Sequence, residues 1–218
     1  MAEGGVRPAA GDQVGALTLE ELRRRFAGDA PPSETLYGDE GTRPGREILT
    51  PASVLIPIVA RDGAAGAGLT VIFTQRAAHL KDHSGQVSFP GGRSAAHDVS
   101  PEATALRESR EEIGLDSARV ELLGRLSEYH TRTGYRITPV VGVVAPPFEL
   151  RADANEVDEI FEVPLAFLLD PANHQRHSRE WQGEMRSFFA MPYEGRYIWG
   201  ATAGMLVNLS RFLSRGRL

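Results

Sequence analysis

The chain has 218 residues, of which 24 are Lys or Arg and 29 are Asp or Glu, so its formal net charge is −5. This acidic balance excludes a protein that coats nucleic acid with general basic charge. The absence of cysteine excludes a disulfide scaffold, a thiol nucleophile and any zinc or iron–sulfur site with cysteine ligands. The clearest apolar run, residues 54–60, is far shorter than the roughly 20 residues that cross a bilayer.

Residues 1–16 carry charges and lack the apolar core of a signal peptide. We therefore expect a soluble, cytoplasmic, single-domain protein that acts on a small molecule and has neither a nucleic-acid nor a membrane partner. The sequence does not indicate an oligomeric state.

The N-terminal segment, residues 1–48, is predicted to contain a disordered leader, a short amphipathic helix and a linker. Thr18 and Glu21 have the spacing of a capping box for a helix over residues 19–27. An apolar stripe on this helix predicts that it docks on the body of the protein; the stripe consists of Leu19, Leu22 and Phe26. Residues 28–46 contain three prolines and four glycines, which is typical of a linker.

The remaining residues, 49–218, are predicted to form the folded domain and to include a C-terminal helix. The apolar run over residues 54–59 predicts a buried strand, in which Pro57 indicates an edge position or a bulge. A second strand over residues 69–74 would complete a hairpin. Further strands are predicted over residues 87–89, 120–126, 137–144, 160–163, 188–192 and 196–199, and helices over residues 101–113, 164–169 and 201–213. Because strands and helices do not alternate strictly, we predict an α+β fold in which a mixed sheet lies between helices, an α/β/α sandwich.

The most informative segment is residues 85–115. Ser100 is predicted to cap its helix, Pro101 to occupy the first helical position and Gly114 to end the helix. The preceding Pro-Gly-Gly of residues 90–92 is predicted to be a turn.

Three carboxylates lie on one face of this predicted helix, those of Glu108, Glu111 and Glu112. Glu108 is about 40° from Glu112 and about 60° from Glu111 around the helix axis. Unpaired carboxylates at these spacings repel one another, and a hard divalent cation such as Mg²⁺ or Mn²⁺ removes that cost. The alternative is a solvated face that Arg107 and Arg110 partly neutralise.

The neighbouring glycines favour the metal site over the solvated face. Gly91 and Gly92 permit a close backbone approach, so the Gly92 carbonyl can supply a further ligand and exposed amides can meet phosphate. The histidines add little, since His97 is expected to decorate the loop. His79 and His83 would share a ligand face only if they lay on a helix.

This segment resembles the Nudix box, whose pattern is G-x5-E-x7-R-E-U-x-E-E-x-G-U with U apolar. Its second half is matched by Arg107, Glu108, Glu111, Glu112, Gly114 and Leu115, although Ser109 replaces an apolar residue. The first half departs from the pattern, because the spacing from Gly92 to Arg107 is one residue too long. The early acidic position falls on Val99 when counted back from Arg107, and on Asp98 when counted forward from Gly92.

A longer run resembles the coenzyme A diphosphatase branch of the family, which has an LLTxR-like strand, a basic position a few residues on, and G-x3-FPGG. Residues 72–76 and 85–92 correspond to the first and last of these elements. Lys81 stands where the pattern has arginine, so the charge is kept and the planar fork is lost. Asp98 lies in the lengthened glycine loop of this branch, and the resemblance covers about residues 50–213.

The resemblance implies a Nudix fold with the box as a loop–helix–loop. It also implies metal-dependent hydrolysis of coenzyme A to 3′,5′-ADP and 4′-phosphopantetheine. The ligands of Mg²⁺ or Mn²⁺ would be Glu108, Glu112, Glu111 and Gly92. The catalytic residues would be Glu111 and Arg107: Glu111 would either join these ligands or accept a proton, and Arg107 would orient a carboxylate. Two alternatives stay open: hydrolysis of another diphosphate, such as a dinucleotide, ADP-ribose or a nucleoside triphosphate, or a catalytically silent nucleotide-binding module.

Several further residues are candidates for contact with a polyanionic substrate. Arg76 and Lys81 are predicted to bind phosphate, with ordinary surface cations as the alternative. Glu156 or Glu159 would bring another acid towards the metals, unless both belong to a charged loop. Trp199 either packs the last helix or stacks on a ligand. Residues 129–135 form a candidate substrate loop.

Overall fold

The computed structural model describes residues 17–28, 36–37, 48–60, 68–80, 83–181 and 183–214, and at positions 36, 37, 181 and 184 the backbone alone. The predicted leader, most of the predicted linker and Lys81 lie outside the described residues.

Four α-helices occur in the described part of the chain: α1 (Leu19–Gly28), α2 (Pro101–Ile113), α3 (Leu165–Leu169) and α4 (Gly200–Ser214). All four were predicted to within two residues at each end. The amide of Glu21 donates to Thr18 Oγ1 at 3.1 Å, which is one half of the predicted capping box. Leu22 is fully buried, and the ring of Phe26 lies 4.7 Å from that of Phe212 in α4, so α1 docks on the body as predicted.

Twelve strands accompany them in the described residues. They are β1 (Leu36–Tyr37), β2 (Thr50–Ala60), β3 (Leu69–Arg76), β4 (Val87–Ser88), β5 (Gly91–Arg93), β6 (Val120–Arg125), β7 (Tyr129–His130), β8 (Tyr135–Val144), β9 (Val157–Pro164), β10 (Gln175–Trp181), β11 (Glu184–Tyr193) and β12 (Arg196–Trp199). Nine strands form a mixed main sheet in the order β1–β7–β8–β2–β3–β4, with β5 beside β2, β6 beside β8 and β9 beside β3. The long central pair, β2 and β8, is parallel.

The strands β2 and β3 diverge, and this divergence positions the informative segment. They pair only where residues 58–60 meet residues 69–71. Beyond that point β4 pairs with β3 and β5 pairs with β2, so residues 87–93 fill the gap between them. The predicted turn at Gly91 and Gly92 was therefore wrong, because these glycines lie in a strand.

Pro57 lies at the point of divergence. The prediction of an edge position or bulge was wrong, since β2 is a central strand and keeps a continuous register with β8 through Pro57. The amide of Leu55, two residues earlier, donates to the carbonyl of Pro90 at 2.9 Å. The backbone nitrogen of Pro57 points to the same side of β2 as the amide of Leu55. It lies between the segment of β2 that pairs with β5 and the segment that pairs with β3, so the N–H that proline lacks would have had no strand partner there.

Two apolar layers cover the main sheet. On one face α2 packs through Ala105 and Ile113 against side chains of β2, β3 and β8. On the other face α4 and α1 cover the residues that alternate with them, such as Ile56 and Val71. A second, antiparallel sheet, β10–β11–β12, lies on the α4 side, and its first strand was not predicted. The predicted α+β sandwich is confirmed. None of the described helices is long and apolar enough to span a bilayer.

Candidate active site

The ends of α2 are fixed by local signals, and they set the direction of its carboxylate face. Ser100 Oγ accepts a hydrogen bond from the amide of Ala103 at 3.2 Å. Gly114 has φ of 68°, and its amide donates to the carbonyl of Arg110 at 3.0 Å. A left-handed residue at this position strongly favours glycine, so the helix ends directly after Glu112 and Ile113.

Glycines in β5 allow the strand to lie directly against this face. A Cβ on Gly92 would lie 2.5 Å from Oε2 of Glu108, so a side chain there would displace the carboxylate. Gly91 has φ of 155°, and a Cβ there would lie 2.4 Å from the carbonyl oxygen of Ser53. The amide of Gly91 donates to Oε2 of Glu112 at 3.1 Å, a contact that was not predicted from the sequence.

Arg107 links three carboxylates at the start of the site. Its Nη1 lies 2.9 Å from Oε1 of Glu108 and 2.8 Å from Oε2 of Glu111. Its Nε and Nη2 donate to Asp98 at 3.0 and 2.9 Å, and Nη2 also donates to the carbonyl of Arg93. These hydrogen bonds raise the pKa of Arg107 further above its usual range. Such a guanidinium fork fixes the carboxylates around it and performs no proton transfer.

Asp98 occupies the early acidic position that the motif left ambiguous. Its side chain is buried, and it also accepts from the amide of Ala95 at 2.8 Å and from the hydroxyl of Thr104 at 2.9 Å. The hydrogen bonds from Arg107, above all, hold the pKa of Asp98 well below its usual range. Val99, the competing position, is 93% exposed. The loop absorbs the additional residue and presents the acid that can reach Arg107.

Glu112 is buried with fewer hydrogen bonds and a weaker cation contact than Asp98. It is 4% exposed, and its nearest cation is Arg76, whose Nη1 lies 3.9 Å from Oε1 of Glu112. Burial, reinforced by the charges of Glu156 and Glu108, raises the pKa of Glu112 to about 7. Burial likewise raises the pKa of Glu108, although Arg107 opposes the shift. Desolvation without a full counter-charge produces shifts in this direction.

A loop at the far end of α2 adds Glu156 to the group. The amide of Asp153 donates to the carbonyl of Glu112, and the amide of Ala77 donates to the carbonyl of Glu156, both at 2.9 Å. The charge of Glu156 raises the pKa of both Glu108 and Glu112. Glu159 instead forms an ion pair with Arg196, so the two acids that are grouped together in the sequence have different surroundings.

The residues of this site fit a divalent cation bound partly by other ligands. Among the described residues, no three His, Asp or Glu side chains form a ready metal cage. Yet the carboxylates of the site outnumber its cations in the described part of the chain: two guanidinium groups, Arg107 and Arg76, lie beside Asp98, Glu108, Glu111, Glu112 and Glu156. Two of these carboxylates, Glu108 and Glu112, have raised pKa values. Mg²⁺ is commonly held by one or two carboxylates together with water and substrate phosphate. Glu108 and Glu112, which lie beside Gly92, can provide these carboxylates.

The other predicted site residues have different surroundings. Glu111 projects outwards with 60% of its side chain exposed. Arg76 lies against Glu112 and keeps 27% of its side chain exposed, and its Nε is buried without a hydrogen-bond partner in the described part of the chain. Ser109, the departure from the motif, is fully buried and donates to the carbonyl of Ala105 at 2.7 Å, which satisfies its hydroxyl.

The histidines do not converge. His97 is exposed, as expected, and His79 and His83 lie in turns rather than on a helix. His79 contacts the carbonyl of Asn155, and His83 contacts Gln86. In the predicted substrate loop, the hydroxyl of Tyr135 accepts from Nε of Arg93 at 3.0 Å, which connects this loop to β5.

Comparison with known proteins gives the family. The profile of the NUDIX domain matches residues 49–182. The uncharacterized Nudix hydrolase NudL of Escherichia coli strain K12 is 39% identical over 199 residues, which are 89% of this chain and 94% of NudL. The same values hold for NudL of Shigella boydii. A crystal structure of the Nudix hydrolase RenU from M. smegmatis covers 62% of this chain and 81% of its own, at 21% identity and a TM-score of 0.45. The chain therefore belongs to the Nudix hydrolase family.

Proposed function

We propose that this Nudix hydrolase cleaves the diphosphate linkage of coenzyme A to give 3′,5′-ADP and 4′-phosphopantetheine, with Mg²⁺ or Mn²⁺. At the coarser level, a Nudix hydrolase hydrolyses a nucleoside diphosphate derivative with a divalent metal ion. The choice of coenzyme A rests on the G-x3-FPGG run of residues 85–92, which resembles the coenzyme A diphosphatase branch.

One observation carries the proposal. The final glycines of that run lie in β5 against the carboxylate face, where Gly91 donates to Glu112 and Gly92 contacts Glu108. The proximity of the run that resembles the branch to the glutamates of the Nudix box supports the proposal that both belong to one site.

In this proposal Glu108 and Glu112 hold the cation, and the Gly92 carbonyl adds a ligand. When bound, the cation supplies positive charge at the phosphate oxygens and lowers the pKa of the attacking water. Glu111 reaches solvent from the same face and serves either as a further ligand or as the acceptor of the water proton. Arg107 is a positioning residue, since Asp98 fixes its guanidinium and the guanidinium orients Glu108 and Glu111.

Substrate phosphates are proposed to meet the cations near the site. Arg76 lies beside Glu112, where a phosphate held by the metal would come within its reach. For Lys81, which lies outside the described residues, the proposal rests on its position in the motif alone. Both charges favour a polyanion in a chain whose net charge is −5.

The test is mass spectrometry of the products formed when the purified full-length protein is incubated with coenzyme A and Mg²⁺ or Mn²⁺. We expect 3′,5′-ADP and 4′-phosphopantetheine, and no products in excess chelator. A parallel panel of ADP-ribose, dinucleotides and nucleoside triphosphates measures selectivity. Faster cleavage of a panel member, with coenzyme A left intact, would transfer the assignment to that substrate.

A further inference from the structure

An open cleft lies at the other end of the motif, away from the carboxylates. It has a volume of about 380 Å³ and is formed between residues 84–87 and the strand β12. Ligand pockets usually measure roughly 300–1,000 Å³, so this cleft is large enough for one part of a coenzyme-sized molecule.

Aromatic rings form one wall of the cleft. Tyr197 and Trp199 both line it, and they lie on the same face of β12 because they are two residues apart. The side chain between them, Ile198, points the other way and is fully buried in the core. Ile198 therefore anchors β12, whereas the ring of Trp199 faces the cleft.

The two rings belong to a larger aromatic surface on the second sheet. The rings of Tyr197 and Trp199 lie 6.4 Å apart, and Phe188 contacts Trp199 edge-on at 5.4 Å. His177 stacks on Phe188 at 5.9 Å, and Tyr197 is 43% exposed. Flat rings held in place by their neighbours and still accessible offer a stacking platform for another flat ring.

Amide groups line the opposite side of the cleft. Gln75 and Gln86 each carry a donor and an acceptor, and Ser84 adds a hydroxyl. His83 holds the oxygen of Gln86 through a contact of 2.9 Å. Paired donors and acceptors beside a stacking surface match the edge of a nucleobase, which presents both kinds of group in one plane.

The chain itself connects the cleft to the carboxylates. Val87 lines the cleft, and Gly91, four residues later, contacts Glu112. Four extended residues span at most roughly 13 Å. An extended nucleotide covers a comparable length between its base and its diphosphate.

We propose that this cleft is the base subsite of the enzyme, where the nucleobase of the substrate stacks on Trp199 and Tyr197 and its edge bonds to Gln75 and Gln86. The inference rests on the proposed function only in that the substrate is a nucleotide. It commits to the base rather than to the pantetheine arm, because the aromatic wall matches a flat ring better than a flexible chain.

Tryptophan fluorescence tests this subsite. The chain has two tryptophans, so Trp181→Phe leaves Trp199 as the only reporter. The full-length variant is titrated in chelator, first with 3′,5′-ADP and then with 4′-phosphopantetheine, which lacks a base. We expect saturable quenching by 3′,5′-ADP alone. Tyr197→Ala should weaken that binding about tenfold, whereas Met185→Ala, at another exposed apolar position on the same sheet, should not.

The outcomes separate the subsite from the choice of substrate. Quenching by 4′-phosphopantetheine alone, or by neither ligand, would overturn the base subsite even if the wild type cleaves coenzyme A. Quenching by 3′,5′-ADP would uphold it even if coenzyme A is not cleaved. Where coenzyme A is cleaved, Tyr197→Ala should raise KM about tenfold and leave kcat unchanged, and an unchanged KM would contradict the assignment.

Discussion

Asp98 and Glu112 are two carboxylates with little side-chain exposure and opposite electrostatics. Their side chains are 4% and 5% exposed, and both lie at the interface between α2 and the glycine-rich segment before it. Asp98 receives two hydrogen bonds from Arg107, one from an amide and one from a hydroxyl. Glu112 receives one amide hydrogen bond, and Arg76 lies 3.9 Å away. The pKa of Asp98 is lowered, whereas that of Glu112 is raised to about 7.

The role of a buried acid therefore depends on its hydrogen-bond and charge partners as well as on its burial. A desolvated carboxylate is stable when hydrogen bonds and a cation replace water, as around Asp98. Glu112 lacks that replacement in the protein alone, so it favours either a proton or a metal ion. We therefore assign Asp98 a structural role and propose that Glu112 binds the metal ion.

The largest expected effect is on activity. Glu112→Gln keeps the size of the side chain and removes the charge that binds a hard cation, so kcat should fall about a thousandfold or more, because metal activation supplies several kcal/mol. Glu102→Gln, in the first turn of the same helix, should keep its activity, since Glu102 pairs with Arg125 away from the site. The rate at which each variant forms 3′,5′-ADP from coenzyme A, followed by chromatography, makes the comparison. Retained activity in Glu112→Gln would place the metal elsewhere.

At Asp98 the main expected effect is a loss of stability. Asp98→Asn leaves the guanidinium of Arg107 without its main partner, and breaking a buried pair should lower the free energy of unfolding by about 3 kcal/mol. Glu121→Gln removes an exposed pair with Arg23 and should leave stability almost unchanged. Urea unfolding of both variants measures the difference. Equal, small losses in the two variants would show that burial adds nothing to the Asp98 pair.

The features of the site that depend on local spacing could be predicted from the sequence. Ser100 and Gly114 mark the ends of α2 because caps act within one turn of the chain. The shared face of the three glutamates followed from helical geometry. The ambiguity between Asp98 and Val99 could be resolved only in three dimensions, since it depends on how the loop folds back to Arg107.

Parts that depend on contacts distant in sequence were not predictable. The insertion of β4 and β5 between β2 and β3 requires β5 to pair with residues of β2 about 40 positions earlier, and this pairing places a strand where a turn was predicted. The strand β10 carries mainly polar side chains and forms only by pairing with β11, so no apolar alternation marked it. The weak compensation of Glu112 likewise depends on where Arg76 and Glu156 come to lie.

A smaller effect concerns stability against pH in the metal-free protein. The unfolded chain releases the proton of Glu112 near pH 4.5, whereas the folded chain keeps it to about pH 7. Between these values the folded state binds more protons, so this group makes the protein less stable as the pH rises. Relative to the wild type in chelator, Glu112→Gln should gain about 2 kcal/mol between pH 5 and pH 8. Thermal or urea unfolding at both pH values measures the gain, and a difference that does not vary with pH would contradict the raised pKa.

The smallest expected effect is at Arg76, and it decides between two roles. The guanidinium lowers the pKa of Glu112, against the larger effect of burial. Arg76→Gln should therefore raise that pKa further and strengthen metal binding at pH 7 by about tenfold, because the guanidinium repels a divalent cation more strongly than it repels a proton. Arg76→Lys keeps the charge and should restore the wild-type affinity. Titration with Mn²⁺ measures the metal affinity and so tests whether Arg76 tunes Glu112. Kinetics at saturating metal test the second role, phosphate binding: if Arg76 binds phosphate, the KM of Arg76→Gln for coenzyme A stays raised when metal is no longer limiting. A normal KM at saturating metal would leave Arg76 as a residue that tunes Glu112 alone, and unchanged metal affinity would remove it from that role.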